Sequence, residues 1–204
     1  NSRVIRWSTQ SLNSPLALYE ESAVGAVDDE PTLLRRIPTP NTDIDAYTSS
    51  RHWATAPDGT LVPVDIVHHV DTPLDGTAPT CVYAYGAYEV SLPPWFSVGR
   101  LSLLDRGWIW ALVHPRGGGE LGRQWYLDGK LEKRTNPFND FVDVSRYLID
   151  NSYTNPQRLA IMGGSAGGEL MGAAVVQAPE LYQAVVLQVP FVDVLNTMLD
   201  ETRP

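Results

Sequence analysis

The stretch Ile161-Met162-Gly163-Gly164-Ser165-Ala166-Gly167-Gly168 separates two segments of different character. Residues 158–162 form a short apolar run, which predicts a buried strand, and residues 169–178 are rich in small side chains, which predicts a helix. The glycines around Ser165 fit the G-x-S-x-G pattern, in which a tight strand-to-helix turn lifts a serine hydroxyl clear of a sheet. The stretch therefore predicts a helix-covered sheet with Ser165 as a nucleophile at its edge.

Buried strands and helices alternate along the chain on both sides of this turn. Apolar runs predict strands at 80–85, 108–113, 158–162 and 184–189. Helical periodicity predicts helices at 97–105, 138–151 and 169–178. This β-α-β-α-β-α-β order implies a mostly parallel sheet with right-handed crossovers, so the predicted fold class is α/β.

The chain before residue 80 has a different pattern, in which strands are predicted without helices between them. Residues 47–56 and 60–69 flank the turn sequence Pro57-Asp58-Gly59, which predicts a hairpin. Short strands are also predicted at 4–8, 16–19 and 32–36. Their spacing suits one blade or edge of an antiparallel sheet, and three such strands cannot bury a core alone.

A polar connector, Pro38-Thr39-Pro40-Asn41-Thr42-Asp43, follows the three short strands. Prolines stiffen such a segment, and it interrupts the strand pattern on both sides. We therefore place a domain boundary there, with residues 1–40 in one domain and 41–204 in the other.

The composition is that of a globular protein: 43 % of the residues are apolar and 19 % are charged. A net charge of −9 argues against a nucleic-acid surface, which needs clustered Lys and Arg. The single cysteine, Cys81, lies in an apolar run and is expected to be a buried, inert thiol. No apolar run reaches the roughly 18 residues of a membrane span. We expect no nucleic-acid or membrane partner and a cytoplasmic location.

A serine nucleophile needs hydrogen-bond donors for the oxyanion that forms during acyl transfer. The backbone N–H of Ala166, the residue after Ser165, is predicted to be one donor. The second donor is expected from the loop after the 80–85 strand, where Tyr85 offers a neutral phenol. Tyr85 has an equally good interpretation as a half-buried aromatic residue at a strand end, and its position does not decide between the two.

The base that should activate the serine is missing from its expected place. Hydrolases with this turn take nucleophile, acid and histidine in that chain order. The residues after Ser165 include no histidine, because the four histidines are His52, His68, His69 and His114. Asp193 and Asp200 follow Ser165 but come too early for the acid. The catalytic apparatus within the chain is therefore half complete.

Two other segments resemble a phosphate-binding loop and a metal site, but their residues argue against both. His114-Pro115-Arg116-Gly117-Gly118-Gly119 lacks the Gly-Lys-Ser/Thr that completes a P-loop. It is predicted to be a tight turn near the site, where Arg116 holds a carboxylate or a carbonyl. His68 and His69 are neighbours on a strand and point to opposite faces, which favours an ordinary strand end over metal ligands. No metal or cofactor is predicted.

Several motifs occur in order along nearly the whole chain and together resemble the prolyl oligopeptidase family. They are Tyr85-Gly86-Ala87-Tyr88, Phe138-Asn139-Asp140 and the runs 101–107 (LSLLDRG), 114–122 (HPRGGGELG), 162–168 (MGGSAGG) and 188–194 (QVPFVDV). The last run resembles the oligopeptidase B members of that family in particular.

The resemblance implies a serine peptidase in which a β-propeller caps an α/β-hydrolase domain. Residues 1–40 would be the last strands of the propeller. By the same resemblance, Ser165 is the nucleophile, Tyr85 and the Ala166 N–H form the oxyanion hole, and the catalytic Asp and His lie beyond Pro204. The implied substrates are short peptides, cleaved after Arg or Lys.

The resemblance has one clear departure. The segment 89–94 carries a single acidic residue, Glu89, where relatives specific for basic residues often carry aspartates, so a dibasic preference is not implied. Two alternatives stay open: another peptidase or esterase of the same fold, such as an acylaminoacyl-peptidase or a carboxylesterase, and a non-catalytic fragment. The sequence does not predict the oligomeric state.

Overall fold

The computed structural model describes residues 3–24 and 30–202, which form two separate β-sheets with helices around the larger one. Within the segment expected to be propeller strands, residues 1, 2 and 25–29 lie outside the described residues.

The smaller sheet contains the three strands predicted near the start of the chain. They are β1 (Val4–Thr9), β2 (Ala17–Ser22) and β3 (Thr32–Arg36). Both pairings are antiparallel, in the order β1-β2-β3. Trp7 stacks on Tyr19 across the first pairing with ring centroids 4.8 Å apart. Ala17 is the only strand residue of this sheet that is buried.

The larger sheet has six strands in the order β4-β5-β7-β6-β8-β9. These strands are β4 (Tyr47–Thr55), β5 (Leu61–His69), β6 (Thr80–Tyr83), β7 (Ile109–Val113), β8 (Leu159–Gly164) and β9 (Ala184–Gln188). The predicted parallel arrangement holds for β7, β6, β8 and β9. The predicted hairpin, β4–β5, joins the same sheet through antiparallel pairing of β5 with β7. The sheet is therefore mixed, with its parallel part next to Ser165.

Within residues 3–24 and 30–202, five α-helices connect or follow these strands. They are α1 (Val98–Leu104), α2 (Arg123–Leu127), α3 (Thr135–Asp150), α4 (Ala166–Gln177) and α5 (Val194–Leu199). The sequence predicted α1, α3 and α4 but not the two short helices α2 and α5. Helix α3 begins three residues earlier than predicted, because Pro137 lies in its first turn, where no intrahelical N–H donor is needed.

Helices α3 and α4 cover one face of the larger sheet and form its core. Phe141, Val144 and Leu148 of α3, together with Leu170 and Met171 of α4, are fully buried against strand residues such as Val82. Strand β9 departs from the prediction of a buried strand, since most of its side chains are exposed. It is the outermost strand of the sheet within the described part of the chain, so it lacks a neighbour on one side.

A loop between β1 and β2 attaches the smaller sheet to the larger one. Leu12, at the tip of this loop, is 2 % exposed and packs with Tyr47, Leu104 and Leu112. Asn13 donates from Nδ2 to the Tyr47 carbonyl oxygen at 2.9 Å. Across residues 3–24 and 30–202, the longest helix is too short and too polar to cross a lipid bilayer.

Candidate active site

Ser165 lies at the junction between β8 and α4, as the sequence predicted. Its backbone has φ 55° and ψ −119°, a region that costs energy for any residue with a Cβ atom. Its side chain is exposed, and within the described chain its hydroxyl has no hydrogen-bond partner. A strained, exposed serine between a strand and a helix N-terminus has the geometry of a nucleophile elbow.

Four backbone hydrogen bonds hold Ser165 in this strained conformation. The Ser165 N–H donates to the Gln188 carbonyl at 3.0 Å. The Ser165 carbonyl accepts from the N–H groups of Gly168 (2.9 Å), Glu169 (3.2 Å) and Phe191 (3.1 Å). Strained backbone persists only where its surroundings over-determine it, and here β9 and the following residues supply half of these bonds.

The first turn of α4 lies very close to the loop after β6, which carries Tyr85. A Cβ atom on Gly167 would lie 2.7 Å from the Ala84 carbonyl oxygen and 3.4 Å from Tyr85 Cδ2. Only glycine therefore permits this approach. Strand β6 ends at Tyr83, so Tyr85 is a half-buried loop residue rather than a strand end.

The structure thus brings together the three residues that the sequence nominated. Ala166 is the first residue of α4, where an N–H group has no acceptor within the helix. Ser165 precedes it, and the Tyr85 ring packs against the same first turn. This turn also carries the positive end of the helix dipole, which favours negative charge beside it.

The glycine-rich loop after β7 packs against the Tyr85 loop, in agreement with the predicted tight turn near the site. Gly117 has φ +95°, and a Cβ atom there would lie 2.5 Å from the Gly86 carbonyl oxygen. The Gly117 carbonyl accepts from the Glu89 N–H at 3.1 Å. The glycines of this loop therefore serve close packing of two backbones.

Arg116 holds a carboxylate, as predicted. Its guanidinium makes a bidentate contact with the fully buried Asp140, with Nη2 2.6 Å from Oδ1 and Nε 2.9 Å from Oδ2. Nη1 also donates to Asp58 in the turn of the β4–β5 hairpin at 2.6 Å. The hydrogen bonds to Asp140 raise the pKa of Arg116 further above its ordinary value. One side chain thus ties the glycine-rich loop to α3 and to the hairpin.

His114 is buried in a second charged cluster beneath the same loop. Its Nε2 lies 2.9 Å from Asp65 Oδ2, and its Nδ1 lies 3.2 Å from Glu120 Oε1. Asp65 also accepts two hydrogen bonds of 2.7 Å from Arg51. Burial alone would lower the pKa of His114, but these two carboxylates outweigh it and raise the pKa. Burial alone would raise the pKa of Asp65, but Arg51 and His114 hold that pKa at about 2.

The remaining histidines also contact groups other than Ser165. His52 lies between the hydroxyls of Tyr147 and Tyr153, at 3.4 and 3.3 Å. His68 and His69 end β5, and His68 Nδ1 contacts the His69 carbonyl at 2.8 Å. Residues 3–24 and 30–202 contain no group of three or more His, Cys, Asp or Glu side chains that could hold a metal ion.

A cleft of about 450 Å³ opens beside the elbow and is lined by both apolar and charged side chains. Its charged residues are Lys130, Arg134 and Glu169, and its apolar wall includes Tyr88 and Phe191. Sequence reasoning missed Arg134, Glu169 and Phe191 as site residues. Arg134 contacts partners 48 and 35 positions away, and no local pattern encodes such pairs.

Comparisons with known proteins agree with this geometry. Residues 94–204 match the model of the prolyl oligopeptidase family. Dipeptidyl aminopeptidase BI of Pseudoxanthomonas mexicana is 47 % identical over 201 residues, which are 98 % of this chain and 27 % of that protein. Protease 2 of Moraxella lacunata is 42 % identical over 162 residues, which are 79 % of this chain and 24 % of that protein.

A solved structure also resembles the chain along most of its length. Oligopeptidase B from Leishmania major superposes with a TM-score of 0.88 at 38 % identity, covering 97 % of this chain and 27 % of that protein. The chain therefore spans about a quarter of the length of the relatives that it matches. These matches confirm the predicted fold class, an incomplete α/β-hydrolase sheet preceded by strands of a β-propeller.

Proposed function

The chain belongs to the prolyl oligopeptidase family of serine peptidases, and we propose that it carries the nucleophile and the oxyanion hole of such an enzyme. The observation that carries the proposal is the exposed Ser165 with φ 55° at the start of α4. Residues 1–40 are proposed to be the last strands of a propeller domain, and 41–204 the first part of the catalytic domain.

The proposed reaction is acyl transfer through Ser165. Its Oγ attacks the carbonyl carbon of a peptide bond while a general base takes the hydroxyl proton. The negative oxygen that forms accepts hydrogen bonds from the Ala166 N–H and the Tyr85 phenol. The C–N bond then breaks, the amine leaves with the proton held by the base, and water releases the acyl group from Ser165.

We assign the base and its orienting carboxylate to the part of the parent protein outside residues 1–204. His114, the most buried histidine, already contacts two carboxylates, and His52 contacts two tyrosines. The carboxylate of Asp193 caps α5, where it accepts from the Asn196 N–H. The length of the relatives leaves ample room for both groups.

The proposed substrates are short peptides, cleaved after Arg or Lys. Support comes from the similarity to oligopeptidase B and from the cleft beside Ser165. Glu169, the carboxylate in that cleft, pairs with Arg134, so the groups that recognise a basic side chain are assigned to the remainder of the protein. A second candidate is removal of dipeptides from a free amino terminus, because a dipeptidyl aminopeptidase is 47 % identical over 98 % of the chain.

Substrate comparison on the complete natural polypeptide separates these activities. We expect rapid cleavage of a blocked arginyl amide and slow cleavage of acetyl-amino acid amides and short acyl esters. Faster cleavage of a dipeptidyl amide with a free amino group would favour the second candidate. A preference for acetylated amides or esters would instead point to an acylaminoacyl-peptidase or a carboxylesterase.

Two substitutions test the roles of the site residues. Ser165→Ala should abolish both amide cleavage and labelling by a fluorophosphonate, and retained activity would end the assignment. Tyr85→Phe should lower kcat by about 10²–10³-fold, the usual effect of losing one oxyanion donor. An unchanged kcat would leave Tyr85 with a packing role only.

A further inference from the structure

Arg134 is a half-buried cation between the two segments that carry the proposed oxyanion donors. It precedes α3 directly and lines the cleft beside Ser165, with 22 % of its side chain exposed. Arg134 takes no part in the proposed acyl-transfer reaction. Its guanidinium carbon lies over the Phe138 ring, 5.0 Å from the ring centroid, a cation–π contact that holds the group against the ring.

The guanidinium makes one strong contact with each segment. Nη1 donates to the Gly86 carbonyl oxygen at 2.5 Å, and Nη2 donates to Glu169 Oε2 at 2.7 Å. Because guanidinium is planar and its donors are rigidly spaced, two such bonds fix the separation of their acceptors. A flexible ammonium would not impose this constraint.

Both acceptors are adjacent to the oxyanion donors. Gly86 follows Tyr85 directly in the chain. Glu169 belongs to the first turn of α4, and its N–H donates to the Ser165 carbonyl at 3.2 Å. The Tyr85 loop and α4 meet through the close packing at Gly167, and Arg134 adds a charged bridge across that junction.

We propose that Arg134 is a positioning residue that holds the Tyr85 loop against the first turn of α4, so that the phenol and the Ala166 N–H converge on one oxygen. The inference rests on the proposed function. Arg134 does not itself contact the reacting atoms in this proposal. Its contribution is geometric, and a displacement of about 1 Å at such a site can cost up to 10²-fold in rate.

The test uses the complete natural polypeptide and an arginyl amide substrate. Arg134→Met, which keeps a long side chain over Phe138 but removes all donors, should lower kcat about 10- to 100-fold while KM stays within about twofold. Arg134→Lys should recover part of the loss, because it restores the charge but not the second hydrogen bond. Arg146→Met, at an exposed arginine on α3, the helix that Arg134 precedes, is the matched control and should leave both constants unchanged.

A double-mutant cycle with Tyr85→Phe separates positioning from general stabilisation. If Arg134 acts through the Tyr85 loop, Arg134→Met should cost much less in the Tyr85→Phe background than in the wild type. Losses that multiply in the double variant would overturn the proposal. A higher KM at unchanged kcat would also overturn it, since Arg134 would then bind substrate directly.

A milder variant keeps the proposal testable if Arg134→Met does not fold. Glu169→Gln preserves the size of the side chain and one acceptor oxygen but removes the charge on one side of the bridge, and a several-fold loss of kcat is expected. Fluorophosphonate labelling of the wild type distinguishes the two levels of failure. Without labelling at Ser165, the proposed function and the inference both fail; with normal labelling and unchanged kcat in the variants, only the inference fails.

Discussion

In the six-stranded sheet, side chains such as Val64, Val82 and Ile161 are completely buried, whereas in the three-stranded sheet every residue of β3 is exposed. The larger sheet packs against α3 and α4, whereas Ala17 is the only buried strand residue of the smaller sheet. Burial of apolar surface is the main favourable term in folding, and three strands without a covered face gain little of it. Within residues 3–24 and 30–202, the burial of Leu12 is an apolar contact that holds the smaller sheet to the larger one.

This difference also indicates where substitutions should matter. Changes in the larger sheet and its helices should affect the whole proposed catalytic region, including the Ser165 turn. Changes in the smaller sheet should have local effects unless they reach Leu12. The predictions that follow test this contrast in the complete polypeptide, with amide hydrogen exchange reporting each region separately.

The largest expected effect is on the buried ion pair beneath the glycine-rich loop. Asp140→Ala leaves the Arg116 guanidinium partly buried without its main partner, a situation that typically costs about 3–5 kcal/mol. Thermal unfolding and faster exchange in residues 47–69 would measure the loss. Asp150→Ala, an exposed carboxylate on the same helix, should change stability by no more than about 0.5 kcal/mol. Equal effects of the two variants would contradict the structural role of Asp140.

The second effect concerns the attachment between the two sheets. Leu12→Ala should cost about 2–4 kcal/mol, because it leaves a cavity next to Tyr47, Leu104 and Leu112. Exchange in β1 and β2 should accelerate more than exchange in β6 and β8. Leu74→Ala, an exposed leucine in the loop before β6 of the larger sheet, is the control and should leave exchange in β1 and β2 unchanged. Unchanged exchange in β1 and β2 would show that the smaller sheet is stable without Leu12.

A third prediction uses pH on the His114 cluster, which only the larger sheet contains. The raised pKa of His114 means that its stabilising charge is fully present below its ordinary pKa and is lost as pH rises through the raised value. Asp65, with its pKa lowered to about 2, contributes stability that is lost only as pH falls toward that value. Thermal stability should therefore decline as the pH rises above the ordinary histidine pKa of about 6.5 and through the raised pKa of His114.

His114→Asn should flatten this decline, and His68→Asn is the matched control that should preserve it. Melting temperatures measured across the same pH range provide the comparison. An identical slope in the His114→Asn protein would show that another group produces the pH dependence. Amide hydrogen exchange in β1–β3 should change with pH only as far as the intrinsic chemical rate of exchange changes. The reason is that His114 contacts β5 and the glycine-rich loop rather than the smaller sheet.

The smallest effect is expected within the three-stranded sheet itself. Trp7→Ala removes the stacking contact with Tyr19, and such pairs contribute about 0.5–1.5 kcal/mol beyond their area. Exchange should rise in β1 and β2 only, and kcat should not change. A loss of activity in this variant would show that a change in the smaller sheet alters the site at Ser165. That result would contradict the local effects expected for substitutions in this sheet.

The sequence predicted the features that are encoded locally. Ser165 and its flanking glycines identified the elbow because one short motif contains the strand end, the turn and the helix start. Arg116 was predicted to hold a carboxylate or a carbonyl near the site, and it holds the carboxylates of Asp140 and Asp58. The alternation of strands and helices was enough to indicate the parallel part of the sheet.

The features that the sequence did not reveal depend on distant residues. The antiparallel pairing of β5 with β7 and the exposure of β9 are properties of strand order, which no single segment encodes. Arg134 carries no local signal for its contacts, since Gly86 and Glu169 lie far from it in the chain. Tyr85 remained ambiguous in the sequence for the same reason: its packing against α4 requires the glycine at position 167.

The hydrogen bonds around Ser165 also have a consequence for synthesis on the ribosome, because some of the bonded residues are made long after Ser165. The strained serine backbone is held partly by Gln188 and Phe191, which are synthesised more than twenty residues later. A nascent chain that ends shortly after α4 lacks these restraints, and its serine can relax to an ordinary backbone conformation. The strained backbone conformation of Ser165 is therefore held by all four hydrogen bonds only after Gln188 and Phe191 have been synthesised.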